Sequence, residues 1–145
     1  MFWLYGLAVL LLDQASKTIV RLNLSHGDSI PIIKGYWHVT YVQNPGGAFG
    51  LLPGVQTFLL LTSIVVMAML IVYRAFRQAG GPLSELSLGL ILGGTAGNLV
   101  DRVRFGEVID WLDFRIWPVF NIADTALVIG LTLLAWQIIR SDGKA

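Results

Sequence analysis

Four long apolar segments separated by polar stretches dominate the chain. They cover about residues 2–22, 55–73, 84–102 and 121–139. The second is the clearest, because no Asp, Glu, Lys or Arg occurs between Lys34 and Arg74. Each segment approaches the ~20 residues that an α-helix needs to cross ~30 Å of hydrocarbon. The pattern predicts a mainly α-helical integral membrane protein with four transmembrane helices in a single domain, 1–145.

Composition supports a membrane protein and narrows its chemistry. The 145 residues are 55% hydrophobic and 13% charged, against about 25% charged in an average soluble domain. The formal net charge of +1 and the lack of a basic run give no indication of a nucleic-acid partner. Because the chain has no cysteine, a thiol nucleophile, a disulfide framework and a thiolate metal site are excluded.

An even number of spans sorts the polar residues onto two sides of the membrane. Both termini and the second loop, from Arg74 to Glu85, share one side, whereas the segments 23–54 and 103–120 lie on the other. Asp13 ends an apolar run directed toward this second side, Asp101 ends the third span there, and Asp124 begins the fourth. The Lys and Arg counts do not decide the orientation, but the short N-terminus and the basic second loop favour cytoplasmic termini. A polar site is therefore expected at one membrane interface.

The segments on the second side carry strand and turn signals. Tyr36 to Val42 is rich in aromatic and β-branched residues, and Val108 to Phe114 is a second strand candidate. The first ends at Asn44-Pro45-Gly46-Gly47, a strong turn signal. We expect a small β element resting on the membrane surface.

Four aspartates fall within one stretch, 93–124: Asp101, Asp110, Asp113 and Asp124. Carboxylates at a bilayer boundary are costly, so they are functional candidates. A serine triad would lack its G-x-S-x-G motif, and a zinc site would lack H-E-x-x-H. What remains for hydrolysis is a pair of carboxylates that shares one proton and activates water. The composition permits that mechanism without proving it.

The first span carries charges at helical spacing. Asp13, Lys17 and Arg21 recur at i, i+4 and i+8 and share a helix face. One interpretation is an ion pair with a snorkelling arginine at the end of a span. The neighbouring amide of Gln14 makes a role in supporting the site an equal alternative.

Two further patterns have a structural and a functional interpretation. Gly89, Gly93 and Gly97 form a small-xxx-small ridge that favours close helix packing, which would hold Asn98 and Arg102 at a tight junction. Asn121 and Asp124 suit a helix start, as N-cap and first-turn residues. That simple explanation weakens because Asp110 and Asp113 reach the same boundary.

At these residues the chain resembles the lipoprotein signal peptidases, the type II signal peptidases of bacteria. The matching segments, in chain order, are Asp13-Gln14-Ala15-Ser16-Lys17, Asn44-Pro45-Gly46-Gly47-Ala48-Phe49, Gly93 to Arg102, Val108-Ile109-Asp110 and Phe120-Asn121-Ile122-Ala123-Asp124. Each motif is weak alone, but five in order along nearly the whole chain are specific. Pro45, Gly47 and Gly50 depart from the family pattern.

The resemblance implies an aspartic endopeptidase with four spans and an extracytoplasmic β-cradle. Its substrate would be a prolipoprotein carrying diacylglycerol on a cysteine, cut just before that cysteine. Asp110 and Asp124 match the catalytic pair. The supporting polar positions match Asp13, Lys17, Asn44, Gly46, Asn98, Arg102 and Asn121. No metal, cofactor or obligatory protein partner is implied.

The same resemblance places the enzyme in the bacterial cytoplasmic (inner) membrane, in contact with membrane lipid. Its termini would be cytoplasmic and its active site near the extracytoplasmic face. Two rival functions use the same features. A small proton-coupled membrane carrier would use the aspartates as a relay, and a non-enzymatic assembly subunit would use the glycine ridge.

Overall fold

The computed structural model describes residues 1–46, 55–76 and 80–142, with side chains as far as Arg140. The elements are α1 (Phe2–Asn23), β1 (Ser29–Ile33), β2 (Trp37–Asn44), α2 (Val55–Phe76), α3 (Pro82–Phe105), β3 (Val108–Asp113) and α4 (Ile122–Asp142). The predicted mainly helical fold with a small β element is confirmed. Of the predicted Asn44-Pro45-Gly46-Gly47 turn, Gly47 lies outside the described residues.

Three of the described helices, α2, α3 and α4, are long and apolar enough to cross a membrane. The first helix, α1, is 22 residues long, as is α2, but Asp13, Gln14 and Lys17 lower the hydropathy of its second half. Its buried positions, among them Gly6, Asp13 and Lys17, recur every three or four residues and form one face. The count of four spans therefore stays a prediction.

Helix α3 is the centre of the bundle and packs against α1, α2 and α4. Its glycines allow the close approach that their spacing predicted. A Cβ added to Gly93 would lie 2.5 Å from the carbonyl oxygen of Gly6 and 2.6 Å from the Cβ of Val9, both on α1. On another face of α3, a Cβ at Gly94 would lie 2.5 Å from the carbonyl oxygen of Ala123. Small residues thus let two helices touch α3 backbone to backbone.

Replacing Gly93 by Ala should destabilise the protein by about 1–3 kcal/mol, the usual cost of overpacking a rigid contact. The obstructing atoms belong to backbone and to a β-branched side chain, so they cannot rotate away. Thermal unfolding of the purified protein in detergent would measure the effect. Gly81→Ala is the control, because a Cβ at Gly81 meets nothing within 4 Å. Equal melting temperatures for both variants would contradict the assigned contact.

The sheet is antiparallel, with β2 between β1 and β3. The predicted strands correspond to β2 and β3, whereas β1 was not predicted. Tyr41 of β2 and Ile109 of β3 pack with Val20 of α1 in one buried cluster, which fixes the sheet against the first helix. The register pairs Asn44 with Val108, so the end of β2 lies beside the beginning of β3.

Candidate active site

One asparagine connects the two aspartates that the resemblance singles out. Asp110 lies on β3, and Asp124 lies in the first turn of α4. Asn121 Nδ2 donates a hydrogen bond of 2.7 Å to Asp110 Oδ1, and the Asn121 backbone N donates one of 3.3 Å to Asp124 Oδ2. The structure therefore brings the middle of a strand and the start of a helix to a single amide residue.

Asn121 is also the N-cap of α4. Its Oδ1 accepts the backbone N–H of Asp124 at 2.8 Å, while the Asp124 carboxylate accepts the backbone N–H of Asn121 in return. This reciprocal arrangement satisfies two N–H groups that a helix start otherwise leaves unpaired. The helix-start and site interpretations of this motif thus describe the same hydrogen bonds.

Two more amides complete the donors to the pair. Asn98 Nδ2 on α3 donates to Asp124 Oδ1 at 2.7 Å, and Asn44 Nδ2 at the end of β2 donates to Asp110 Oδ2 at 2.9 Å. Every oxygen of the two carboxylates therefore accepts at least one hydrogen bond. Four elements of the fold contribute, so the position of the pair depends on the tertiary structure as a whole.

Gly46 orients the Asn44 amide. Its backbone N donates to Asn44 Oδ1 at 2.9 Å, which leaves Asn44 Nδ2 directed at Asp110. Gly46 has a φ of 82°, a left-handed conformation that glycine adopts without strain. The supporting role that the resemblance gives to Gly46 thus has a local geometric explanation.

Burial gives Asp110 an unusual proton affinity. Its side chain is 1% exposed, and desolvation raises its pKa to about 6. The hydrogen bond from Asn44 acts in the opposite direction, the charge of Asp124 raises the pKa further, and the hydrogen bond from Asn121 lowers it. A carboxyl group with a pKa near neutrality can hold a proton at the working pH and release it during a reaction.

A buried lysine, Lys17, is linked to the pair through Asn98. Lys17 Nζ is 2.9 Å from Asp13 Oδ2 and 2.8 Å from Asp101 Oδ2, and these three side chains are at most 2% exposed. The same Nζ donates to Asn98 Oδ1 at 3.0 Å. The Lys17 ammonium therefore pairs with two carboxylates and also donates a hydrogen bond to the amide that contacts Asp124.

The two carboxylates bound to Lys17 hold the elements that carry the pair. Asp13 Oδ1 accepts the backbone N–H of Ala123 at 2.9 Å, at the start of α4. Asp101 Oδ2 accepts the backbone N–H of Ile109 at 3.1 Å, one residue before Asp110. Asp101, which the sequence offered as one of four functional candidates, thus has a structural role.

The remaining polar candidates take separate places. Gln14 Nε2 donates to Asp101 Oδ1 at 2.9 Å and to the carbonyl of Gly97 at 3.1 Å, so it joins the network although it is not among the supporting positions that the resemblance names. The Arg102 guanidinium interacts electrostatically with Asp124, Asp101 and Asp110.

Asp113 lies apart from the pair. Thr40 Oγ1 donates to its carboxylate at 2.7 Å, and Arg115 contacts it through a backbone and a guanidinium N–H. Desolvation would raise the pKa of Asp113, but these hydrogen bonds and the charge of Arg115 outweigh it and hold the pKa below its usual value. Asp113 is therefore an anion at neutral pH that binds a turn, and it does not share a proton with the pair.

The fold defines a helical membrane enzyme. The fold is similar to that of two solved structures described as bacterial membrane enzymes. One has a TM-score of 0.88 at 30% identity and covers 97% of this chain and 88% of its own. The other has a TM-score of 0.85 at 32% identity and covers 93% and 90%.

The chain belongs to the signal peptidase II family, whose model matches residues 5–140. Lipoprotein signal peptidases of Moorella thermoacetica and Halothermothrix orenii are each 49% identical to it. The first alignment covers 99% of this chain and 95% of the relative, and the second covers 94% and 96%. The predicted family and the predicted aspartic peptidase activity are confirmed.

Proposed function

We propose that this signal peptidase cleaves prolipoproteins that carry diacylglycerol on a cysteine, just before that cysteine, with Asp110 and Asp124 as the catalytic pair. The observation that carries the assignment is the bridging of these two carboxylates by Asn121. Relatives that cover nearly the whole chain are lipoprotein signal peptidases, which supports the substrate class.

The pair supplies both proton transfers of amide hydrolysis. One carboxylate, ionised, accepts a proton from water as the water oxygen attacks the scissile carbonyl carbon. The other, protonated, donates a hydrogen bond to the carbonyl oxygen. A proton then passes from the pair to the amide nitrogen as the C–N bond breaks. The raised pKa of Asp110 supports its holding the shared proton.

We further propose that all four helices span the bacterial inner membrane, with both termini cytoplasmic and the site near the extracytoplasmic face. The carboxylate pair and its amides gather where α3 ends and α4 begins, beside the sheet. Glu85 lies in the first turn of α3, at the opposite end of the bundle. A substrate held in the bilayer by its lipid would reach such an interfacial site by lateral diffusion. The enzyme then needs membrane lipid around it and no obligatory protein partner.

The test is a cleavage assay on purified protein in detergent. The substrates are two precursor peptides of one sequence, with and without a diacylglyceryl group on the cysteine. Mass spectrometry should find a product that begins with the modified cysteine and much slower cleavage of the unmodified peptide. Equal rates for the two peptides would contradict the lipid requirement, and a cut at another bond would contradict the proposed specificity.

Asn44→Ala should shift the pH profile of cleavage to higher pH. The Asn44 amide stabilises the ionised form of Asp110, so its loss raises the pKa of that carboxyl further above the value of about 6. If Asp110 must be protonated in the free enzyme, activity falls as the pH rises through this pKa, and the fall moves to higher pH in the variant. The measurement is kcat/KM across pH.

Asn23→Ala is the matched control for this shift. Asn23 is exposed, and its amide donates to the carbonyl of Ile19, one turn earlier in α1. Its profile should coincide with that of the unmodified protein. If kcat/KM of Asn44→Ala falls at every pH and the profile does not move along the pH axis, the hydrogen bond from Asn44 does not lower the pKa of Asp110.

A further inference from the structure

An apolar cleft opens directly beside one member of the carboxylate pair. It has a volume of about 450 Å³, and Asp124 lies in its wall. Thr125, Val128 and Ile129 continue the wall along α4, and the last two are 65% and 46% exposed. Because Asp110 is buried, Asp124 is the member of the pair that faces this cleft.

The connection between β3 and α4 covers the cleft. Phe114, Ile116, Trp117 and Phe120 line this side. The rings of Phe114 and Phe120 are stacked, with centroids 5.8 Å apart, and Trp37 of β2 extends the stack at 6.4 Å. Ile116 and Trp117 remain 92% and 70% exposed at the outer rim. The cover is thus held by the sheet, while its rim presents large apolar side chains to the surroundings.

The cover begins at a constrained turn. Arg115 has a φ of 64°, a conformation that residues other than glycine rarely adopt. It is fixed by two hydrogen bonds to Asp113, 2.9 Å from the backbone N and 3.1 Å from the guanidinium. The cleft is therefore preformed by local bonds, as expected of a ligand site.

The chemistry of the walls favours a hydrocarbon chain over a peptide strand. The N–H groups of Trp111 and Leu112 both donate to the carbonyl of Phe120, and the N–H of Phe120 donates to Leu112. The edge of β3 next to the cover is therefore already paired and cannot add a substrate strand at these residues. A peptide backbone in an apolar cleft would bury unpaired polar groups, whereas an acyl chain has none to pair.

We infer that this cleft takes one acyl chain of the diacylglyceryl group on the substrate cysteine and thereby places the adjoining peptide bond at Asp124. The inference rests on the proposed function and specifies where that substrate lies. Since the acyl chain comes from a bilayer that is itself apolar, its transfer into the cleft contributes little binding free energy. Its contribution is orientation of the scissile bond relative to the carboxylates.

Val128→Trp tests the assignment by narrowing the cleft. We expect kcat/KM for a dipalmitoyl precursor to fall about tenfold or more, because misplacement of the reacting bond is costly, and to fall much less for a dioctanoyl precursor. Leu131→Trp is the control: Leu131 is 53% exposed on the same helix and does not line the cleft. Equal losses for both precursors, or an equal effect of the control, would overturn the inference.

Photocrosslinking locates the chain independently of turnover. The Asp110→Asn protein is irradiated with three probes: a precursor with a diazirine in one acyl chain, a precursor with a diazirine in the signal peptide, and a diazirine phosphatidylcholine. The acyl-labelled precursor should attach to Trp117, Val128 or Ile129 more strongly than the other two. Stronger labelling of these residues by the signal-peptide probe or the phospholipid would overturn the inference. If the active protein cleaves no lipidated precursor, the proposed function fails instead.

Discussion

Asp124→Asn is expected to lower kcat/KM by about a thousandfold or more, and Asp110→Asn should do the same. An amide can neither accept a proton from water nor hold the proton that the leaving nitrogen needs, and such proton transfers contribute about 10²–10⁴-fold each. The variants should still fold, because Asn matches Asp in shape and keeps one accepting oxygen. The measurement is cleavage of a lipidated precursor, with the melting temperature recorded in parallel.

The double variant sharpens this test. When two groups act as a unit, removing either one already abolishes their joint contribution to the rate. The double variant Asp110→Asn with Asp124→Asn should therefore be no less active than either single variant. Asp28→Asn is the matched control, since Asp28 caps the turn between α1 and β1 by accepting the backbone N–H of Ser25 at 2.8 Å. Normal turnover by a folded single variant, or losses that multiply in the double variant, would contradict the assignment.

Lys17→Met is expected to destabilise the protein by about 3–5 kcal/mol, the cost of removing one partner from a buried ion pair. The change leaves the carboxylates of Asp13 and Asp101 buried together without their cation. It also disturbs the start of α4 and of β3, because these carboxylates accept the N–H groups of Ala123 and Ile109. Thermal unfolding in detergent and the yield of folded protein are the measurements.

A compensated variant separates charge from packing. Asp13→Asn and Asp101→Asn, combined with Lys17→Met, remove all three charges while keeping side-chain volumes similar. This triple variant should regain part of the stability lost by Lys17→Met alone. Lys34→Met at an exposed position should cost less than about 0.5 kcal/mol. A triple variant less stable than the single one would show that the burial of unpaired charge is not the cause.

The helices and two of the strands could be predicted because each has a local pattern. Long apolar segments predicted α1 to α4, and aromatic and β-branched runs predicted β2 and β3. Strand β1 has a weaker signal: its isoleucines are β-branched, but Pro31 interrupts the run and the strand is exposed throughout. It forms because β2 offers an edge with which it pairs. This is a tertiary effect, which a local sequence pattern does not show.

The site was predicted by motif and not by geometry. The spacing of Asp13 and Lys17 correctly indicated an ion pair one helical turn apart. Arg21 shares their spacing, yet its guanidinium lies over the ring of Phe105 at 4.4 Å. The second carboxylate on Lys17, from Asp101, comes from a different helix, so helical periodicity within α1 could not indicate it.

The hydrogen bond from Ala123 to Asp13 joins residues 110 positions apart, and it sets an order on the biogenesis of the enzyme. Once β3 has been synthesised, the nascent chain contains Asp13, Asn98 and Asp110, but their partners at residues 121–124 do not yet exist. Only the synthesis and insertion of α4 supply the capping asparagine and the second aspartate together. With Asp110 and Asp124 as the proposed catalytic pair, the peptidase therefore acquires its activity only after α4 has been inserted, and a chain that lacks α4 cannot cleave its membrane neighbours.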